Sequence, residues 1–134
     1  MVGTTTRPTT DPAGEVRLLE SREVTPGRQL LTWDAPAIAR GVQPGQFLHL
    51  LAPRRAGLLL PVVPVSGYDR VAGTITTLMA SAEPLSRARV GDAARFDGPL
   101  GRGFAIDPRS RYLLVVADID GFGRVRAVVD EAVA

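Results

Sequence analysis

Gly98-Pro99-Leu100-Gly101-Arg102-Gly103-Phe104 sets three glycines and a proline within seven residues and divides the chain into two parts of different character. Glycine and proline at this density read as a tight turn, with Phe104 as its hydrophobic plug; the other reading is a loop that contacts a ligand. On its N-terminal side, residues 15–24 and 28–34 are β-type stretches separated by Thr25-Pro26-Gly27, a hairpin signal. Gln43-Pro44-Gly45 turns the chain into a strand over 46–51. Residues 58–66 are apolar and β-branched, but Pro61 and Pro64 interrupt them. Proline cannot donate to a ladder, so this strand is expected at an edge or broken. Gly67-Tyr68-Asp69-Arg70 reads as a loop leading to a strand over 73–79, and residues 84–88 as one helical turn. Val90-Gly91-Asp92 then turns into a short strand over 93–96. Short strands with this punctuation predict a mainly β fold, a six-stranded antiparallel Greek-key barrel.

On the C-terminal side, residues 112–117 (YLLVVA) are continuously apolar, as in a strand buried on both faces. Asp120 or Gly121 opens a helix in which Phe122, Val125, Val128, Val129 and Val133 recur at helical spacing. Strand, glycine-bearing turn and helix are how a parallel nucleotide-binding sheet begins. The expected organisation is a flexible Thr/Pro-rich leader over 1–14, the barrel over 15–108, and over 109–134 a single β-α unit left from a nucleotide-binding domain.

The chain of 134 residues is long enough for one core. Aromatic residues make up only 5%, so that core rests on Val, Leu, Ile and Ala. All the basic residues are arginine, and they are scattered among acidic ones for a net charge of +2. With Arg54-Arg55 the only adjacent pair and no basic stripe among aromatics, nucleic-acid binding is not expected. The absence of cysteine excludes disulfides, thiolate catalysis and cysteine-ligated iron–sulfur clusters within this chain. No apolar run is long enough to span a bilayer, the N-terminus does not read as a signal peptide, and the expected compartment is the cytoplasm.

Pro44-Gly45-Gln46-Phe47-Leu48-His49-Leu50, Gly91-Asp92 and Gly98–Phe104 occur in the order and rough spacing of a family. The chain resembles a ferredoxin-reductase-type flavin domain, and within that family the electron-transfer subunit of dihydroorotate dehydrogenase. Ser66-Gly67-Tyr68-Asp69 and Leu85-Ser86 add to the resemblance. It implies a barrel that binds FAD, a following sheet domain that binds a nicotinamide nucleotide, and a cysteine-rich end with a [2Fe–2S] cluster. Electrons would pass between the nucleotide, or a partner flavoprotein, and a catalytic subunit.

Three segments depart from the family pattern. Pro61-Val62-Val63-Pro64 stands where the family has an Arg-Pro-x-Ser-type motif, so a cation and a hydroxyl are replaced by groups that cannot hydrogen-bond through a side chain. Ser66 is displaced by two residues, on the same strand face. Met79-Ala80-Ser81-Ala82-Glu83-Pro84 replaces a Gly-x-Gly-Thr phosphate loop: it lacks glycine, adds a carboxylate and loses an amide donor. Ala117-Asp118-Ile119-Asp120-Gly121-Phe122-Gly123 keeps only Gly121 of a Gly-Gly-x-Gly turn. Its two aspartates suit a helix N-terminus and repel a diphosphate, so NAD is not expected.

The positions matching the family flavin site are Pro61, Val62, Val63, Pro64, Ser66, Met79 and Ser86. No catalytic residue and no metal site is expected: Ser66 and Ser86 have no base nearby, and His49 reads as structural. The altered segments count against FAD and favour a cofactor-poor, non-catalytic interaction or regulatory module. The alternative is an FAD-binding electron-transfer domain of an oxidoreductase complex. The apolar stretch 112–117 without parallel neighbours predicts a homodimer, or a partner subunit docking through the β-α unit.

Overall fold

The computed structural model describes residues 14–51 and 61–134. The leader up to residue 13, Arg54-Arg55 and the start of the 58–66 segment lie outside the described residues. The hairpin forms where Thr25-Pro26-Gly27 places it, between β1 (Glu15–Thr25) and β2 (Arg28–Asp34). A short helix, α1 (Pro36–Gly41), follows; Pro36 opens its first turn while Ile38 and Ala39 are buried beneath the sheet's end. Six residues are too few for a helical period, and the only sequence signal was a proline suited to a first turn. Then come β3 (Phe47–Leu50), β4 (Val62–Pro64), β5 (Gly67–Asp69) and β6 (Thr74–Ala80). A 3₁₀ turn at Pro84–Arg87 leads to β7 (Ala93–Leu100), and the chain ends in α2 (Phe122–Val133).

Burial follows the strand period of two. In β6, Ile75, Thr77 and Met79 are buried and their neighbours half-exposed. These side chains meet Leu31 and Trp33 of β2, Leu18 of β1, Leu48 of β3, Val63 of β4 and Phe96 of β7 in one core. Trp33 and Phe96 pack edge to face, with centroids 5.4 Å apart. The Trp33 indole N–H donates to Thr77 Oγ1 at 3.0 Å, which settles the two polar groups inside the apolar interior.

The strands pair antiparallel in the order β4-β3-β7-β1-β2-β6-β5, and this corrects the expected six-stranded closed barrel. Residues 67–69, read from sequence as a loop, form the seventh strand, paired with β6 from Gly67↔Thr76 to Asp69↔Thr74. The sheet is not closed. β4 and β5 are its two edges, and no ladder joins them. Where the chain crosses between those edges, Val65 N–H donates to Gln46 O at 3.2 Å and Ser66 N–H to Thr76 O at 2.8 Å. Two single bonds stand in place of a ladder. The physical reason is at hand: β4 spans only three residues beside Pro61 and ends in Pro64, and neither proline has an N–H to give. The edge position expected for this segment is the one it takes.

The expected β-α unit is also corrected. Residues 112–117 form no strand. Tyr112 is 94%, Leu114 87% and Val116 83% exposed, where burial on both faces was expected. A strand needs neighbours for its backbone groups, and among the described residues no strand pairs with this stretch. The helix does form and buries Val128 of its expected face, but the docking side is turned toward Gly123 and Ala127. Gly123, Ala127 and Val128 are buried, whereas Phe122 is 51% and Val133 81% exposed.

Candidate functional site

Two of the three motif stretches that carry the resemblance, residues 44–50 and 98–104, are brought into contact. Gln46 Nε2 donates to Gly101 O at 2.9 Å, and Phe104 N–H donates to Pro44 O at 2.7 Å. Gly45 has φ +93°, and a Cβ there would lie 2.6 Å from the Phe104 ring. Only glycine permits that backbone and that approach. The turn reading of Gly98–Phe104 fits this packing, although β7 runs on through its first half to Leu100, and Phe104 remains half-exposed over Gly45.

Beside this contact, β4 exposes Val62 and half-exposes Pro64. They form the shared wall of two cavities. One, of about 210 Å³, is also lined by Arg28, Leu78, Glu83, Asp120 and Arg124. The other, of about 180 Å³, is also lined by Gly45, Phe47, Phe104 and Arg124. Arg124, from α2, lies between them.

α2 reaches this wall through an irregular segment. Asp118 accepts the Gly121 N–H at 2.7 Å and so shapes the turn before the helix. Asp120 forms an ion pair with Arg28 of β2 rather than capping α2. At Gly123 the helix comes close to the sheet: a Cβ there would lie 3.1 Å from Ser66 Oγ and 3.2 Å from Leu78 Cβ. Near the other end, Tyr68 Oη donates to Glu131 Oε2 at 2.9 Å, and Arg70 lies 4.4 Å from the centre of the Tyr68 ring. Burial, and then the hydrogen bond to the Glu131 carboxylate, push the Tyr68 phenol above its ordinary value. Beneath the helix, Ser66 Oγ and Thr76 Oγ1 are buried without a hydrogen-bond partner.

The chain matches no protein-family model. It is 32% identical over 111 residues to the dihydroorotate dehydrogenase B (NAD(+)) electron transfer subunit of Desulforamulus reducens, covering 78% of this chain and 42% of that protein. It is 32% identical over 98 residues to the subunit of the same name from Listeria monocytogenes, covering 69% and 38%. The chain therefore spans about two-fifths of the length of these curated relatives. Among solved structures, the ferredoxin reductase in carbazole 1,9a-dioxygenase superposes with a TM-score of 0.71 at 18% identity, over 89% of this chain and 37% of that one. An NADH-dependent reduced ferredoxin-NADP oxidoreductase structure gives a TM-score of 0.58 at 17% identity, over 66% and 33%. The chain has a ferredoxin-reductase-like fold and is related to the dihydroorotate dehydrogenase B electron-transfer subunit.

Within this fold the sequence-predicted positions divide. Val62 and Pro64 face the cavities, and Ser66 lies directly behind Gly123. Val63 and Met79 point into the core, at 1% and 4% exposure. Pro61 is exposed and its carbonyl accepts from Leu50 N–H at 3.0 Å. Ser86 holds the 3₁₀ turn by donating to Ser81 O at 3.0 Å. His49 lies in β3 opposite Asp97 of β7, a carboxylate that sequence distance concealed. Arg28, Thr76, Asp120 and Arg124 were not singled out as site residues. Nothing in the sequence joined Arg28 to Asp120 across so long a separation.

The residues present suit a flavin in kind. Val62 and Pro64 offer an apolar wall, and Arg28 and Arg124 are cations facing Glu83 and Asp120 in the same cavity, while the unpartnered Ser66 hydroxyl lies outside the cavity lining, buried behind Gly123. The space is the constraint, because pockets for ligands of this class run to roughly 300–1,000 Å³. Among the described residues no three His, Cys, Asp or Glu side chains group to hold a metal ion. No described helix is long and apolar enough to cross a membrane.

Proposed function

We propose that this chain is the flavin-binding electron-transfer domain of an oxidoreductase complex. The observation that carries the proposal is the wall of Val62 and Pro64, with the orphaned Ser66 hydroxyl beside it behind Gly123, on the strand that the sequence resemblance matches to the family's flavin motif. In this reading Val62 and Pro64 pack against one face of the ring, and Arg28 and Arg124 offset phosphate charge. A bound flavin supplies the capacity to take up and pass on electrons. The protein's part is to hold the ring, exclude water from one side and set the charge around it.

The relatives are named as subunits, which supports a partner polypeptide. The exposed apolar side chains of Tyr112, Leu114 and Val116 supply a surface for it. We place this assembly in the cytoplasm. The test is an absorbance spectrum of the purified chain followed by titration with FAD and FMN. The proposal expects a visible flavin band, or saturable binding at about micromolar concentration, abolished by Val62→Glu without loss of folding. A colourless chain that binds neither flavin would return the reading to a cofactor-free interaction module.

A further inference from the structure

Three features of α2 point the same way. Asp120, just before the helix, holds Arg28, which with Arg124 is one of two arginines lining the cavity of about 210 Å³. Gly123 lies against Ser66, whose hydroxyl is buried at 1% exposure with no partner. Arg124 stands between two cavities that share Val62 and Pro64, each too small for a dinucleotide. A buried hydroxyl without a partner carries a desolvation cost that an incoming acceptor would relieve. The Arg28 guanidinium is already matched with an anion, the Asp120 carboxylate, where a phosphate would otherwise sit.

We infer that α2 is a built-in cover over the flavin groove, held in place by Asp120 acting as a resident anion on Arg28, and that FAD and α2 compete for the same guanidinium and the same strand face. The inference rests on the flavin reading above. With α2 displaced, the two cavities join along Val62 and Pro64, Ser66 is uncovered, and Arg28 is released to a diphosphate. The contacts that hold the helix are few enough for this to be reversible. Among the described residues, the buried Gly123, Ala127 and Val128 pack against the sheet, and the Arg28–Asp120 pair and the Tyr68–Glu131 hydrogen bond tie the helix to it.

The chain has no cysteine, so a paired-cysteine lock can be introduced without competing thiols. Leu78→Cys with Gly123→Cys joins positions whose Cβ atoms lie about 3.2 Å apart, close to disulfide range, without substituting Ser66 or Arg28, and because a Cβ at 123 also meets Ser66 Oγ at 3.1 Å the reduced form of the same variant is the reference. FAD titration of the oxidised form, and of the same protein reduced and desalted, is the decisive comparison. The expected result is binding weaker by about tenfold or more when locked, recovered on reduction. In the unaltered chain, FAD should speed amide exchange in α2, and Asp120→Asn should speed it without ligand while tightening FAD binding. Should the lock strain the sheet, Asp120→Asn with exchange carries the test alone. Equal affinity in locked and reduced forms, or α2 exchange slowed by FAD, would overturn the cover and leave the flavin reading standing. Binding by Asp120→Asn where the unaltered chain binds none would support the cover strongly. Failure of every form, Asp120→Asn included, to bind FAD would remove both.

Discussion

Trp33 and Thr77 put one polar pair into an otherwise apolar core, and each depends on the other. Both are fully buried, and the indole N–H has Thr77 Oγ1 as its acceptor at 3.0 Å. Thr77→Val keeps the volume and removes the acceptor, so the N–H is left unsatisfied. Urea unfolding should show a loss of about 1–3 kcal/mol with an unchanged denaturant slope. Gly45 is a second such position. Gly45→Ala would force a side chain into a left-handed backbone at φ +93° and against the Phe104 ring, destabilising the chain by about 1–3 kcal/mol. A truncation at Phe104 in the same background should recover part of that loss, because the backbone strain remains after the clash is gone. At this scale the sequence was partly legible. The prolines at 61 and 64 announced a weak edge because a missing N–H is a property of the residue itself. That Ser66 would be buried without a partner depends on what packs over it, which no single residue states.

The elements divide in the same way. β1, β2 and β6 were readable because a period of two and a Pro-Gly turn are local signals. β5 was missed because three residues carry no period, and it is a strand only by pairing with β6. α2 was predicted as a helix, and Val128 of its expected face is buried, but close approach brings Gly123 and Ala127 in beside it rather than Phe122 and Val133. Its attachment is testable through Tyr68. The phenol is held above its ordinary value of 10.0 by burial and by Glu131, so its contribution is fully present below that value and is lost as pH rises through the raised one. Amide exchange in α2, compared at about pH 8 and above about pH 10 after correction for the intrinsic rate, should therefore show loosening at the alkaline end. Tyr68→Phe should abolish that pH response and cost under about 1 kcal/mol, since the bond is exposed to solvent.

Across the whole molecule, the described residues leave an apolar segment in solvent. Tyr112, Leu114 and Val116 are nearly fully exposed, and the chain spans about two-fifths of the length of its curated relatives. Leu114→Glu with Val116→Glu should leave thermal stability within about 0.5 kcal/mol, because nothing buried is disturbed. On the proposal that this surface meets a partner polypeptide, the same pair should abolish that association, measured by sedimentation of the mixed proteins. The sequence by itself determined a β-rich chain with turns at Pro26-Gly27, Pro44-Gly45 and Gly91-Asp92, a proline-broken edge at residues 61–64, a terminal helix, and kinship with the electron-transfer subunits. These follow from backbone permission and side-chain period, which act over a few residues. Only the tertiary structure decided that the sheet has seven strands and stays open, that residues 112–117 do not form a strand, and that α2 lies on Ser66 with Asp120 on Arg28. Those outcomes depend on which distant backbone groups find partners and which surfaces meet, and a pairing between residues 28 and 120 has no local cause.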